Sequence, residues 1–211
     1  MNSPLPPPLG SSLAPRGARV RSAPAPHTRD ALRAAFPSNL GDEVDALVSR
    51  LPNAPHPLLG TPVAPRPIVL RGEPLRIPYR VYFPASEAPR PRSPGEAKPL
   101  ACIYSRHHDG HVRQAQVATL LADTDAFLVP FVVLLIGECV LEVVEAIAAR
   151  RETLAEAQYR AFALENPECL ELMRRRATSY WNAYYRRRFP EKERYLPLLL
   201  LRGLLESGSA G

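Results

Sequence analysis

The stretch "FLVPFVVLLIGECVLEVVEAIA", residues 127–148, decides how the rest of the chain is read. Its first half, "FLVPFVVLLIG", is apolar throughout, with Phe127, Phe131, Leu134 and Leu135 on one helical face. Pro130 fits such a helix only in its first turn, where the missing amide has no intrahelical acceptor to lose. Gly137 ends it. Beyond the glycine, Val140, Val143, Val144 and Ile147 form a second stripe at helical spacing. The pattern predicts two helices joined by a tight turn. The apolar run is about half of the ~20 residues needed to cross a bilayer. Extending it brings in Glu138, Glu142 and Glu145, which are costly in hydrocarbon. Those acids fall at i, i+4 and i+7, so they predict a solvated face paired with Arg150 or Arg151 and no transmembrane span. No histidine follows them at the Glu-x-x-His spacing of di-iron bundles.

The preceding segment repeats the plan. In "LACIYSRHHDGHVRQAQVATLL", residues 100–121, Leu100, Ile103, Tyr104 and His107 share a face, and Pro99 suits a first turn. Asp109-Gly110 is a break, with Asp109 placed to cap a new helix starting near His111. Val112 and Val140 open the second helix of each unit, 28 residues apart. Over about residues 99–150 this resembles the HEAT-repeat family, whose units are antiparallel helix pairs with an acidic turn, a Val-Arg opening the second helix, and small residues a turn later. Asp109, Val112, Arg113, Ala115 and Leu120 match that pattern. The second unit keeps Glu138 and Val140 but carries Leu141 where the arginine should stand. The resemblance implies a stack of helix pairs, with exposed concave surfaces suited to partner binding. Two visible units at a short spacing are fewer than a freestanding solenoid requires.

Further helices are predicted at about 152–165, 167–188 and 194–206, followed by a tail at 207–211. On the N-terminal side, residues 1–27 hold seven prolines and little apolar periodicity, which predicts a disordered arm. Short helices follow at 28–52. Thr28 is the expected cap of the first, and Leu40, Val44, Leu47, Val48 and Leu51 stripe the second. Residues 53–98 are Pro-rich loop, interrupted where Leu75, Ile77, Tyr79, Val81 and Phe83 alternate with polar residues or proline. That two-residue period, with "RGEP" as the turn and Ile68–Leu70 as the partner, predicts a β-hairpin over 68–83 packed on the helices. Pro78, lacking a donor, must face an unpaired edge. Residues 84–98 are expected to be a solvated loop. The fold class is therefore mainly α, with stacked antiparallel helix pairs, a small hairpin and a Pro-rich arm.

The chain of 211 residues carries a net charge of +6, and only Lys98 and Lys192 are lysines. An arginine bias this general also arises from GC-rich coding, so charge alone does not assign nucleic acid. Cys102, Cys139 and Cys169 are far apart in apolar surroundings, which predicts reduced, buried thiols and a cytoplasmic setting. Nucleotide-binding glycine motifs, the nucleophile elbow and paired Cys/His nucleophiles do not occur in the sequence, and no cofactor is expected.

Two clusters carry the candidate sites. The first is the corner Arg106, His107, His108, Asp109, His111 and Arg113. Nitrogen and carboxylate donors of this kind suit zinc or iron. However, His107 and His111 converge only on an unbroken helix, and Asp109-Gly110 breaks it. The corner is thus expected to be structural, with Arg113 pairing with Asp109 or an acid of the next unit. An anion at the helix N-terminus, flanked by Arg106 and His111, is its most reasonable ligand. The second is "RRRATSYWNAYYRRR", residues 174–188, where Arg174, Arg175, Arg176, Arg186, Arg187 and Arg188 interleave with Trp181 and tyrosines. Such a set neutralises phosphates and stacks bases. Yet Leu170, Met173, Ala177, Tyr180, Trp181 and Tyr184 form one stripe, which predicts a packed helix with arginine edges. The leading expectation is a non-enzymatic scaffold for protein–protein interaction. The alternatives are nucleic-acid binding through residues 174–188 and a metal-dependent enzyme at His107–His111.

Overall fold

Helix α5 (Val129–Ile136) is the element around which five of the other helices pack. The computed structural model describes residues 26–52, 68–155 and 157–206. The expected arm as far as residue 25, the loop 53–67 and the tail 207–211 lie outside the described residues. Every α5 residue except Leu134 is buried, as expected of a helix that is apolar on all sides. It contacts α4 (Gly110–Leu120), α6 (Leu141–Ala148), α7 (Ala157–Glu165), α8 (Pro167–Tyr180) and α9 (Leu196–Glu206). The described residues hold nine α-helices and one two-stranded antiparallel sheet, so the protein is mainly helical. No helix among them is long and apolar enough to cross a membrane. The apolar run of 127–137 is spent as the centre of a protein interior.

The N-terminal helices join the same core. α1 (Pro26–Arg33) begins two residues ahead of the expected cap at Thr28. α2 (Gly41–Val48) buries Val44, Leu47 and Val48, with Leu51 buried just beyond. α3 (Pro94–Tyr104) starts five residues earlier than Pro99 had suggested. Ser93 caps it, accepting from the Glu96 amide at 3.3 Å, and Pro94 occupies the first position. The Ser-x-x-Glu spacing is a capping-box signature. The Glu96 side chain instead accepts from the Arg92 amide and from Arg50, just past the end of α2, each at 2.5 Å. The supposed solvated loop 84–98 is therefore tied into the body at its C-terminal end.

Strands β1 (Ile68–Leu70) and β2 (Glu73–Leu75) pair with Ile68 opposite Leu75 and Leu70 opposite Glu73. The hairpin is shorter than the predicted 68–83. Arg71 (φ 53°) and Gly72 (φ 82°) form its two-residue turn in the left-handed region, the geometry that matches strand twist. Pro74 faces Val69 at the position between ladder hydrogen bonds, so its missing amide costs nothing. Past Leu75 the alternation continues without a β partner. Leu75, Ile77, Val81 and Phe83 are buried, while Tyr79 is turned out. Val81 bridges in parallel to the α3–α4 corner: its amide donates to Arg106 O (2.8 Å), and its carbonyl accepts from the His108 amide (3.0 Å). Pro78 lies outside the ladder and is buried.

The hairpin is held from the far end of the sequence. The Asn166 side chain accepts from the Val69 amide and donates to the Val69 carbonyl, both at 2.7 Å, imitating a neighbouring strand. The Glu165 carboxylate accepts from the Arg71 and Gly72 amides at 2.9 and 2.7 Å. The corner between α7 and α8 thus satisfies both the edge and the turn.

The later helices are shorter than their periodicity suggested. A 3-10 turn over Arg151–Ala155 precedes α7, and another over Lys192–Arg194 precedes α9. α8 gives way at Trp181–Tyr185 to a π-turn. The wider turn moves the inward position one residue on, so Tyr185 packs and donates to Cys139 O (2.7 Å) while Tyr184 is 68% exposed.

Candidate functional site

Two of the arginines flagged by the sequence, Arg106 and Arg113, meet inside the protein around a carboxylate expected to be on the surface. Glu138 is 3% exposed. It does not extend the face of Glu142 and Glu145, because Gly137 ends α5 and α6 begins only at Leu141, leaving Glu138 in the turn. Arg80 grips it with both terminal nitrogens, Nη1 donating to Oε1 at 2.9 Å and Nη2 to Oε2. Arg106 Nη1 lies 3.4 Å from Oε1 and Arg113 Nη2 lies 3.7 Å from Oε2. Burial alone raises the Glu138 carboxyl, but Arg106, Arg80 and Arg113 outweigh it and hold the group below the usual glutamate range.

The arginines are anchored by backbone carbonyls. Arg106, 1% exposed, donates from Nε to Pro78 O (3.2 Å) and from Nη2 to Tyr79 O (2.9 Å). Burial pushes its guanidinium down to about 10, with Glu138 opposing and Arg80, Arg113 and Arg176 adding to the fall. Arg113 Nη1 donates to His107 O and His108 O at 2.7 and 2.9 Å, closing the corner from below. Of its two expected partners, Arg113 reaches the acid of the next unit. Arg176 comes from α8 and stacks on Tyr79, its Cζ 4.8 Å from the ring centroid, with Arg80 at 4.4 Å on the same ring. The corner and the α8 helix, read as separate sites, therefore converge at Tyr79 and Glu138. Arg80 was missed because strand alternation placed it on the polar face, and Tyr79 because the same alternation counted it in the apolar stripe. The overlay of the two units, which sets Glu138 beside Asp109 as a turn acid, was the signal available.

The histidines divide. His107 is buried, with Nε2 2.7 Å from Phe83 O and Nδ1 accepting from the Asp109 amide at 3.1 Å. Both nitrogens are engaged, which fixes the neutral tautomer protonated at Nε2. Burial lowers its basicity further. A ring so committed has no lone pair free for a metal. His108 is exposed and stacks on Tyr82 at 5.0 Å, and His111 is exposed one residue into α4. Asp109 caps α4 as expected, Oδ1 accepting from the His111 amide at 2.8 Å. Among the described residues, no group of three His, Cys, Asp or Glu side chains is placed to hold a metal ion.

On α8, Leu170, Met173 and Ala177 are buried and the arginines edge them. Glu171 accepts from Arg174 Nε at 2.8 Å and lies 3.9 Å from Arg175. Arg186 sits over Trp181, and Arg188 pairs with Glu145 at 2.7 Å. Arg187 is exposed. Trp181 is only partly exposed, and its ring nitrogen donates to Phe189 O at 2.8 Å.

Sequence reasoning named no site on α9, yet the accessible apolar surface gathers there. A groove of about 520 Å³ runs between α7, α8 and α9, floored by Leu170, Leu198 and Leu201. Leu164 and Leu205 stand at its edge, 65% and 50% exposed. Glu171, Arg174, Lys192, Glu193 and Arg202 form its rim. The arginine–glutamate cluster is closed to solvent and works as an internal lock, whereas this groove is open and can take an apolar side chain. Compared with known proteins, the chain matches no family model, no curated protein and no solved structure.

Proposed function

We propose that the chain is a non-enzymatic helical scaffold for protein–protein interaction, with a HEAT-like arrangement of α3–α4 and α5–α6 and a docking groove beside α9. Three features support the pairing. α3 packs on α4, α5 on α6, and the second helices α4 and α6 on each other. Each pair carries its acid in the turn, Asp109 and Glu138. Arg113, in the second helix of one pair, reaches the turn acid of the next. The observation that carries the interaction reading is the groove itself, with Leu164 and Leu205 turned to solvent while the other leucines among the described residues are mostly covered. A photo-crosslinking residue placed at position 164 of the full chain tests it in cell extract, with exposed position 118 on α4 as the control. The expected result is a protein adduct from 164 that Leu205→Asp abolishes and that 118 does not give. No adduct from 164 overturns the reading.

Exposed Tyr184, beside Arg186 and Arg187, supports the second reading, single-strand nucleic-acid binding at the end of α8. Fluorescence anisotropy with a labelled oligonucleotide, read at rising salt, separates the two. Steep salt-dependent binding lost in Tyr184→Ala and Arg187→Glu favours nucleic acid.

A further inference from the structure

We propose that the occupant of the α9 groove is a second copy of this chain, docked across a two-fold axis; this names the partner of the scaffold reading and rests on it. α9 presents a ridge between two depressions. On one side is the groove with Leu198, Leu201 and Leu205. On the other is a depression of about 280 Å³ lined by Leu196, Leu199, Leu200 and Gly203. A surface holding both ridge and groove complements itself, which is the requirement of an isologous contact.

Two independent details point the same way. The first is charge. Lys192 and Glu193 are adjacent at the rim, and neither side chain forms an ion pair within the described residues. A partner helix of single charge is attracted by one and repelled by the other. A second copy turned through 180° sets each Lys192 against the other's Glu193. The second is Gly203. Glycine is a poor helix former beside alanine. Nothing lies within 4 Å of where its Cβ would stand, and its φ is not positive, so neither crowding nor backbone geometry within the chain requires it. A notch between leucines, where another helix backbone comes close, does require it.

The test is sedimentation velocity on the full chain across about 1–100 μM, the range in which modest interfaces associate. The expected result is a concentration-dependent dimer. Leu164→Asp with Leu205→Asp should leave the far-ultraviolet spectrum unchanged and remove the dimer. Gly203→Leu should weaken it at least tenfold. Lys192→Glu alone should weaken it, and Lys192→Glu combined with Glu193→Lys should restore it, because exchanging the charges preserves self-complementarity. A monomer throughout, a dimer indifferent to the leucine pair, or a charge swap that fails to restore association overturns the proposal. A monomer that still crosslinks a different protein from position 164 leaves the scaffold reading standing, whereas a monomer with no adduct removes both.

Discussion

Two regions of this protein reverse the usual placement of charge and oil. At the corners joining α3 to α4 and α5 to α6, Arg106, Arg113 and Glu138 are buried, with the half-buried Arg80 closing over them. At α9, leucines are left outside. A buried carboxylate facing several guanidinium groups fixes the relation of the elements that carry them, here the 77–83 segment, the α3–α4 corner and the α5–α6 turn. An exposed leucine cluster fixes nothing within the chain and is free to engage another surface. Charge is structural at one end of the molecule, and apolar surface is available for function at the other.

That contrast breaks most sharply at Glu138. Glu138→Gln leaves three guanidinium groups around an uncharged amide and should cost about 3–5 kcal/mol, read by urea unfolding. The wild-type cluster also carries a pH signature. The Glu138 carboxyl is held below its ordinary value when folded, so its contribution is full above about 4.3, the unfolded glutamate value, and is lost as pH falls toward the folded one. An acid titration of stability should show this loss in the wild type and a flatter profile in Glu138→Gln. A cost below 1 kcal/mol would return Glu138 to the surface.

Asn166→Ala is the next largest. It removes both bonds to Val69 and should cost about 1–3 kcal/mol, with faster amide exchange confined to residues 68–75. At the other region, Leu164→Ser should change stability by no more than about 0.5 kcal/mol, because the side chain supports nothing inside. A large loss there would make the leucine part of the core and dissolve the comparison. The smallest effect belongs to Arg71, a non-glycine residue at positive φ; Arg71→Asn should raise the melting temperature slightly, a gain of about 0.3 kcal/mol.

The helical content was legible because stripes such as Val140, Val143, Val144 and Ile147 set the period without reference to neighbours. Asp109 was legible as a cap for the same reason, since its partner is two residues away. Glu138 was misread because i, i+4, i+7 arithmetic assumes a helix already running at 138, whereas α6 begins only at Leu141. α8 also packs close against Gly137: a Cβ there would run into the Met173 side chain, a contact no local pattern announces. The start of α3 was missed because Pro99 drew attention from the Ser93–Glu96 signature upstream. Tyr184 was misassigned because helical spacing was carried through a π-turn that changes the count by one. The α9 groove left no trace in the periodicity, since a leucine-rich helix reads as core whether or not anything covers it.

The Asn166 clamp also bears on the order of assembly. Asn166 and Val69 are 97 positions apart, and Glu165 reaches the hairpin turn across a similar span. A two-stranded ribbon by itself is marginal in water. On a growing chain, residues 68–75 leave the ribosome long before the α7–α8 corner exists, so until then β1 and β2 have only the earlier-made partners, such as the Ser38 amide that donates to Glu73 at 2.7 Å. Truncation ahead of residue 165 would therefore release the ribbon while leaving its own sequence intact.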